Sequence, residues 1–263
     1  MTAMLRDKRL VASSFSRAAA TYDSVAGLQR DTADRLLTWL PDMEPEVVMD
    51  LGSGTGYASP KLRAHYPQAL LLSLDLAEGM LAYARGQHQL AQHCQVCGDA
   101  EQLPLADNSV DLVFSSLAIQ WCERPELLFA ELRRVLKPGG RVIVATLGPA
   151  TLAELKQAWA AVDADRHVNE FWPLARIQDA AKSLHQVEQQ TQLRVLEYGK
   201  LGQLMHELKA LGAHNVNARN HQGLSSRTRL KTLTQAYEGM RLTSGSLPAS
   251  YELYYCHWRK PQS

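Results

Sequence analysis

Three aspartates have the types and spacing of a ligand-binding set. Asp50, Asp75 and Asp99 each end a short apolar run, and they are separated by 25 and 24 residues. If the runs are parallel strands, their carboxyl ends meet at one crevice, where such sheets bind ligands. Asp75 could accept hydrogen bonds from two ribose hydroxyls, or cap the helix that follows it. Asp99 could accept from an adenine amine, with Leu76 and Ala100 as apolar walls.

A glycine-rich loop joins the first of these runs to a helical pattern. It reads DLGSGTGYAS over residues 50–59, and Gly52, Gly54 and Gly56 have GxGxG spacing, unlike the GxGxxG of the dinucleotide fingerprint. Glycines permit a tight turn and the close approach of a ligand, and the first N–H groups of the next helix can bind it. Taken alone, the loop is compatible with NAD, FAD, another nucleoside or a plain crossover.

The elements that must position these residues alternate between apolar runs and helical patterns. We predict strands at 46–51, 69–75, 93–99, 110–116 and 141–147, and helices between them at 58–66, 77–90 and 124–137. This order predicts an α/β fold with a parallel sheet. Two helices are expected within 5–39. After the core we expect helices at 150–162 and 174–184, a strand at 191–198, a helical region at 200–240 and a last strand at 250–260.

Composition argues against several classes of protein. Lys and Arg number 28 against 27 Asp and Glu, so the chain lacks the positive charge of a general nucleic-acid binder. No apolar stretch approaches the ~18 residues of a membrane span, and the first residues do not resemble a secretion signal. Four cysteines are no disulfide framework, and the Cys94/Cys97 pair lacks a second pair of metal ligands. A cytoplasmic location is expected.

One segment departs from this even charge. Between Leu208 and Tyr237 the sequence contains no Asp or Glu, whereas it contains the cations Lys209, Arg219, Arg227, Arg229 and Lys231. It is either a surface for an acidic partner or a solvated helix with Leu230, Leu233 and Tyr237 turned inward.

Over residues 46–147 the chain resembles the class I S-adenosylmethionine-dependent methyltransferases. The resemblance is carried by DLGSGTG, LSLDLAEGML, GDAEQLPLADNSVDLVFSSLAIQW and LRRVLKPGGRVIVATLG, which are specific only together. It implies a Rossmann-like sheet of seven strands, mostly parallel with an antiparallel last strand. It also implies that S-adenosyl-L-methionine is the cofactor, with Gly52, Gly54 and Gly56 at its methionine part, Asp75 at the ribose, Asp99 and Ala100 at the adenine, and Ser115 to Trp121 facing the methyl group.

The flanks resemble a narrower family, the malonyl-acyl carrier protein O-methyltransferases of biotin synthesis. The similar segments are 11–37, 115–125, 201–215 and 245–260, although relatives that methylate quinones share the core and the FSRAAATYD opening. The resemblance implies methylation of the free carboxylate of a malonyl thioester, on acyl carrier protein or CoA, as the start of pimeloyl synthesis. The alternatives are a quinone or other small-molecule methyltransferase and a non-catalytic cofactor-binding module. The module should have a broken glycine loop or a lost ribose acid, and this chain has neither.

The implied reaction defines what the site needs. A carboxylate with a pKa near ~4 is ionised at pH 7, so we expect no general base and no metal. The site needs a clamp that holds the carboxylate about 3 Å from the methyl carbon, and a lid against water. We therefore predict an N-terminal helical cap at 1–40, a core at 41–199, a helical lid at 200–245 and a final core strand at 246–263.

Candidate substrate residues come from the cap, the loop after the fourth strand and the lid. Tyr22 is predicted to fold over the cofactor and touch the substrate, or else to pack with its hydroxyl on the backbone. Gln120 and Trp121 are candidates for an acyl channel, although Trp121 is equally compatible with a core position. One arginine could bind the malonyl carboxylate and other cations could meet the carrier protein, the candidates being Arg17, Arg219, Arg227, Arg229 and Lys231.

Overall fold

The computed structural model describes residues 7–88, 93–213 and 226–262, and within them seven strands form one sheet. The strands are β1 (Val47–Leu51), β2 (Leu70–Asp75), β3 (His93–Cys97), β4 (Val110–Ser116), β5 (Leu136–Leu147), β6 (His185–Tyr198) and β7 (Leu247–Arg259). Their order across the sheet is β3-β2-β1-β4-β5-β7-β6. The connections change direction between β1 and β4, and an open α/β sheet binds ligands at such a switch point.

Strand directions agree with the predicted topology. β1 is parallel to β2 and β4, β2 is parallel to β3, and β4 is parallel to β5. β7 lies between β5 and β6 and is antiparallel to both. The α/β class and the mostly parallel sheet with an antiparallel last strand are therefore confirmed.

Helices cover both faces of the sheet. Those in the described part are α1 (Lys8–Val25), α2 (Gly27–Leu37), α3 (Ser59–His65), α4 (Glu78–Gln87), α5 (Pro125–Val135), α6 (Ala153–Ala160), α7 (Leu174–Ala180), α8 (Leu201–Ala210) and α9 (Ser226–Glu238). A 3₁₀ turn, Ile119–Trp121, follows β4. None of these helices is long and apolar enough to cross a membrane.

Alternate residues of the central strands enter two separate cores. Val48 of β1 and Leu112 of β4 pack into the core on the side of α2, α3 and α6. Their neighbours Met49 and Val113 pack into the other core, beneath α5 and α7. Successive strand side chains point to opposite faces, so strands buried on both faces must be apolar at every position. This explains why these strands were recognisable as continuous apolar runs.

Helix α1 is packed between α4 and the end of α8. The Gly79 N–H at the start of α4 donates to Ser16 Oγ at 3.1 Å, and a Cβ on Gly79 would lie only 2.7 Å from the Ser16 Cβ. On its other side, Ser14 Oγ donates to the Gly212 carbonyl at 3.1 Å. Helix α1 therefore lies over the carboxyl ends of the strands and is held from two directions.

Several predicted boundaries were wrong, and two of them show why. β6 begins at His185 rather than at 191, because residues 185–190 are polar except Val187, carry no apolar pattern and gain their strand pairing from β7. The helix predicted at 124–137 ends at Val135, and buried Leu136 already pairs with Val110 of β4. Tertiary pairing decided both positions. The division into cap, core, lid and final strand remains a prediction.

Candidate functional site

Asp75 joins the glycine loop to the start of α4. Its Oδ2 accepts from the Gly54 N–H and its Oδ1 from the Ala77 N–H, each at 2.8 Å. Burial raises the pKa of Asp75, although these backbone donors act in the opposite direction. Each carboxylate oxygen has a second lone pair, so Asp75 can hold these N–H groups and still accept from a ligand.

Gly52 and Gly54 of the loop are glycines for different structural reasons. At Gly52, where φ is +71°, an added Cβ would lie 2.1 Å from the Ala118 Cβ, so the loop after β4 approaches the glycine loop too closely for a side chain. At Gly54, where φ is +54°, nothing lies within 4 Å of the position a Cβ would take. Gly54 therefore leaves open space beside Asp75, as the approach of a ligand to the backbone requires.

Three cavities open around these residues. The strand-tip pocket is bordered by residues of the β2 and β3 ends, among them Asp75, Leu76, Asp99 and Ala100. The glycine-loop pocket is bordered by Asp50, Gly52, Ser53, Gly54 and Arg30. The lid cavity, with a volume of about 480 Å³, is bordered by Gln120, Trp121, Leu155, Trp159, Met205 and Leu208.

Tyr22 borders all three cavities. Burial raises the pKa of its phenol, and the nearby carboxylates of Asp75 and Asp23 raise it further, so the hydroxyl keeps its proton at neutral pH. Asp23 in turn accepts from Thr55 Oγ1 of the glycine loop at 2.7 Å. This contact fixes the end of α1, and with it Tyr22, against the loop. Phe15 lies about two turns before Tyr22 on the same face of α1. Its ring packs edge-on against that of Trp121, with 4.9 Å between the ring centroids.

The glycine-loop pocket contains polar atoms that the protein leaves unpaired. Ser53 Oγ, Ser116 Oγ, Arg30 Nε and Gln29 Oε1 are buried and form no hydrogen bond within the described residues. All four side chains border this pocket. Buried polar atoms are normally paired, so four such atoms at one cavity indicate a ligand with both donors and acceptors.

Asp50 adds a buried acid to this pocket. Asp50 is 2% exposed, and Ser59 Oγ donates to its Oδ2 at 3.3 Å. Burial, together with the charge of Asp75, raises its pKa to about 7. A positively charged ligand group nearby would favour the ionised form.

Asp99 has a partner that sequence reasoning missed. Its Oδ2 accepts from Lys8 Nζ of α1 at 2.5 Å, and the same ammonium donates to Glu101. Glu101 also accepts from the backbone N–H groups of Glu123 and Arg124, which immediately precede α5. The only sequence signal was the acidic pair in GDAEQL, because nothing local connects it to Lys8.

The end of β4 departs from the prediction at one position. Ser115, expected to face the methyl group, is fully buried and donates to the Leu51 carbonyl at 2.8 Å. The next residue, Ser116, points to the opposite side of the strand and borders two of the cavities. Gln120 and Trp121 do border the lid cavity. Thr146 Oγ1 donates to Gln120 Oε1 at 3.2 Å, and Gln120 Nε2 donates to the Leu117 carbonyl at 2.6 Å.

Four of the cations predicted to bind substrate or carrier, Arg17, Arg227, Arg229 and Lys231, border none of the three cavities, whereas Lys209 of the same segment borders the lid cavity. Arg17 is exposed on α1, Arg227 and Lys231 are exposed on α9, and Arg219 lies outside the described residues. Arg229 is half-buried and pairs with Asp163, whose other oxygen accepts from His167 Nε2 at 2.7 Å. His167 stacks on Trp159 in the wall of the lid cavity.

The inward side of α9 was partly predicted. Leu233 and Tyr237 are buried as expected, and the Tyr237 hydroxyl donates to the Pro248 carbonyl at 2.7 Å. Leu230 was predicted to face inward, but it is 56% exposed. The buried stripe of α9 begins one turn later than the apolar pattern suggested.

Comparison with known proteins agrees with this geometry. Residues 49–144 match the family model of a methyltransferase domain. The chain is 50% identical to the biotin biosynthesis bifunctional protein BioHC of Cellvibrio japonicus, over 97% of this chain and 51% of that protein. It is 44% identical to the malonyl-[acyl-carrier protein] O-methyltransferase of Laribacter hongkongensis, over 98% of this chain and 91% of that protein. The chain thus spans about half the length of the bifunctional relatives that it matches.

Solved structures share the fold at low sequence identity. The YcgJ protein of Bacillus subtilis has a TM-score of 0.64 at 16% identity, covering 89% of this chain and 99% of that one. A phosphoethanolamine N-methyltransferase of Haemonchus contortus, solved with S-adenosyl-L-methionine, has a TM-score of 0.57 at 17% identity, covering 94% and 57%.

The sheet order, the glycine loop and the acidic strand ends define a class I methyltransferase. Within that class, the identity over nearly the whole of a single-function relative is decisive, and the chain belongs to the malonyl-[acyl-carrier protein] O-methyltransferase family.

Proposed function

We propose that the chain transfers a methyl group from S-adenosyl-L-methionine to the free carboxylate of malonyl-acyl carrier protein or malonyl-CoA. The product is the malonyl methyl ester that primes pimeloyl synthesis for biotin. The names of the relatives support this activity. The observation that carries it in the structure is the junction of the strand-tip pocket with an apolar lid cavity at Phe15, Tyr22, Leu117 and Trp121.

The residues present fit the proposed cofactor. Asp75 has lone pairs for the ribose hydroxyls, and Asp99 lies beyond it with Leu76 and Ala100 for the adenine. The unpaired atoms of the glycine-loop pocket match the charged ammonium and carboxylate of a methionine group. By charge, Asp50 is suited to bind the ammonium, and Arg30 is suited to bind the carboxylate. When bound, the cofactor supplies a methyl group on a sulfonium.

The reaction requires little acid–base chemistry from the protein. A carboxylate oxygen attacks the methyl carbon, the carbon–sulfur bond breaks, and its electron pair neutralises the sulfonium. The malonyl carboxylate is ionised at pH 7 without a base. Within the described residues, the lid cavity is bordered by no Asp, Glu or Arg. Lys209 and His167 lie at its border, and its other walls are mainly aromatic and aliphatic. Such walls exclude water from the two opposite charges that cancel in the transition state.

The carrier protein is the proposed partner of the lid. Arg227 and Lys231 are exposed on α9, without carboxylate neighbours in the sequence from Leu208 to Tyr237. They can attract an acidic carrier without touching the reacting atoms. Arg229 is better assigned to the structure of the lid, since Asp163 already neutralises it.

One assay tests the proposed function. The protein is incubated with methyl-labelled cofactor and, separately, malonyl carrier protein, malonyl-CoA and a demethylated quinone precursor. We expect label in the malonyl substrates, released by mild base as expected of an ester. Label in the quinone alone would make the chain a quinone methyltransferase, and no label despite cofactor binding would make it a silent module.

A further inference from the structure

Gln29 occupies the boundary between the glycine-loop pocket and the lid cavity. Among the described residues, only Gln29 and Tyr22 border both. The two cavities are those proposed for the methionine part of the cofactor and for the acyl substrate. A side chain at their boundary is therefore placed to contact both reactants.

Helix α2 holds Gln29 in a fixed position. Its neighbour Leu28 is buried in the core, as is Leu36 about two turns further along α2. On the other side, the Arg30 guanidinium lies 6.0 Å from the centre of the Tyr57 ring. A residue on a helix anchored in this way keeps its place when ligands bind.

The side-chain oxygen of Gln29 has no hydrogen-bond partner among the described residues. This atom, Oε1, is buried. A glutamine amide offers two donors and an acceptor, so it can serve an anion and a cation at the same time. The substrate approaches from the lid cavity as a carboxylate, and the cofactor carries its ammonium in the glycine-loop pocket.

We propose that Gln29 positions the substrate carboxylate, an inference that rests on the proposed function. Its Nε2 donates to one carboxylate oxygen and leaves the other free to attack the methyl carbon. Its unpaired Oε1 accepts from the cofactor ammonium in the glycine-loop pocket. The clamp that the reaction needs is then a neutral amide. The described arginines that were predicted to bind the carboxylate lie outside the lid cavity.

A neutral donor suits this reaction better than a guanidinium. A full ion pair would stabilise the carboxylate in the ground state and lower its reactivity. Methylation removes the negative charge, and hydrogen bonds to ionised acceptors are about twice as strong as neutral ones. The Gln29 donor therefore holds the substrate acid more strongly than the product ester, which favours release of the product.

The test separates the donor of Gln29 from its acceptor. Gln29→Glu keeps an acceptor for the ammonium but replaces the donor with a repelling charge. We expect its KM for the malonyl thioester to rise about tenfold or more. Its Kd for S-adenosylhomocysteine, measured by calorimetry, should stay the same or fall. Gln29→Met removes donor and acceptor, so both KM and Kd should rise.

Gln186→Glu is the matched control, since Gln186 is exposed on β6 and borders none of the three cavities. Wild-type KM in Gln29→Glu and Gln29→Met would overturn the inference. If Gln29→Glu does not fold, Gln29→Met decides alone, because a KM unchanged in it excludes the donor. A wild-type protein that labels no malonyl substrate would instead overturn the proposed function.

Discussion

Lys8 Nζ of α1 lies 2.5 Å from Asp99 Oδ2 at the end of β3, although the two residues are 91 positions apart. The same ammonium donates to Glu101, whose side chain is 2% exposed. Burial lowers the pKa of Lys8, but the hydrogen bonds that it donates to both carboxylates, together with their charges, outweigh burial and the pKa is raised. An adenine amine that reaches Asp99 must therefore share this carboxylate with Lys8.

Lys8→Met should lower the free energy of unfolding by about 1–3 kcal/mol, because it leaves the buried Glu101 without its cationic donor. Urea unfolding monitored by circular dichroism measures this difference. Lys182→Met is the control, since Lys182 and Asp179 form a pair in which both side chains are more than 70% exposed. The control should cost less than about 0.5 kcal/mol. Equal losses in the two variants would contradict the structural role of Lys8.

Asp75→Asn should weaken binding of S-adenosylhomocysteine by roughly 10–100-fold. The amide has the same size, but it replaces one acceptor oxygen with a donor that faces either the Gly54 or the Ala77 N–H. The remaining oxygen cannot serve both the backbone and two ribose hydroxyls, and each lost charged hydrogen bond costs about 1.5–3 kcal/mol. Calorimetry measures the Kd. Asp42→Asn, at an exposed position outside the three cavities, is the control and should bind as wild type.

Asp50→Asn should change how stability depends on pH. The pKa of Asp50 is raised to about 7 in the folded protein, mainly by burial, above the ordinary value of 3.8. Between these values the folded state holds a proton that the unfolded state has lost, so wild-type stability falls as pH rises through this window. The asparagine variant lacks this loss. Its stability relative to wild type should therefore increase between about pH 4 and 7 in chemical unfolding without ligand, and parallel profiles would contradict the shifted pKa.

Reversing the charges of Arg227 and Lys231 to Glu should raise KM for malonyl carrier protein several-fold, with little change in kcat. The reason is the loss of long-range attraction to an acidic partner, which acts on the association rate. The effect should shrink as salt rises, because exposed charges are screened. Steady-state kinetics at two ionic strengths measure it.

Malonyl-CoA and a third residue separate carrier docking from damage to the lid. The double reversal should leave KM for malonyl-CoA near the wild-type value, because both residues are exposed and border none of the three cavities. Arg229→Gln should instead raise KM for both substrates. It removes the partner of Asp163, which holds His167 against Trp159 in the cavity wall. Identical effects of the two variants on malonyl-CoA would argue against a docking role for Arg227 and Lys231.

The part of the fold that local sequence controls was predictable. Strands β1, β2, β4 and β5 are largely buried on both faces, so their apolar runs and the glycine loop identified them. β3 is a partly exposed edge strand, and its place before Asp99 identified it. The start of β6 was not predictable, because exposed polar residues there are ordered only by pairing with β7. Leu230 was misplaced because an apolar pattern alone does not tell where the buried stripe of a helix begins.

The candidate site shows the same division. The positions of Asp75 and Asp99 followed from strand ends, which are features of one short segment each. The contacts of Lys8 with Asp99 and of Arg229 with Asp163 join segments that are distant in sequence, and so did not follow from any local pattern. The choice between Ser115 and Ser116 depended on the pleat of β4, and a shift of one residue reverses the face of a side chain.

Helix α1 contacts α4 through Ser16 and the end of α8 through Ser14, and it borders both the strand-tip pocket and the lid cavity. If one ligand orders α1, the other ligand no longer bears the entropic cost of ordering this helix. The two sites should therefore bind cooperatively, and thermodynamic linkage makes the coupling reciprocal. A malonyl thioester should tighten the binding of S-adenosylhomocysteine by the same factor by which S-adenosylhomocysteine tightens the binding of the thioester.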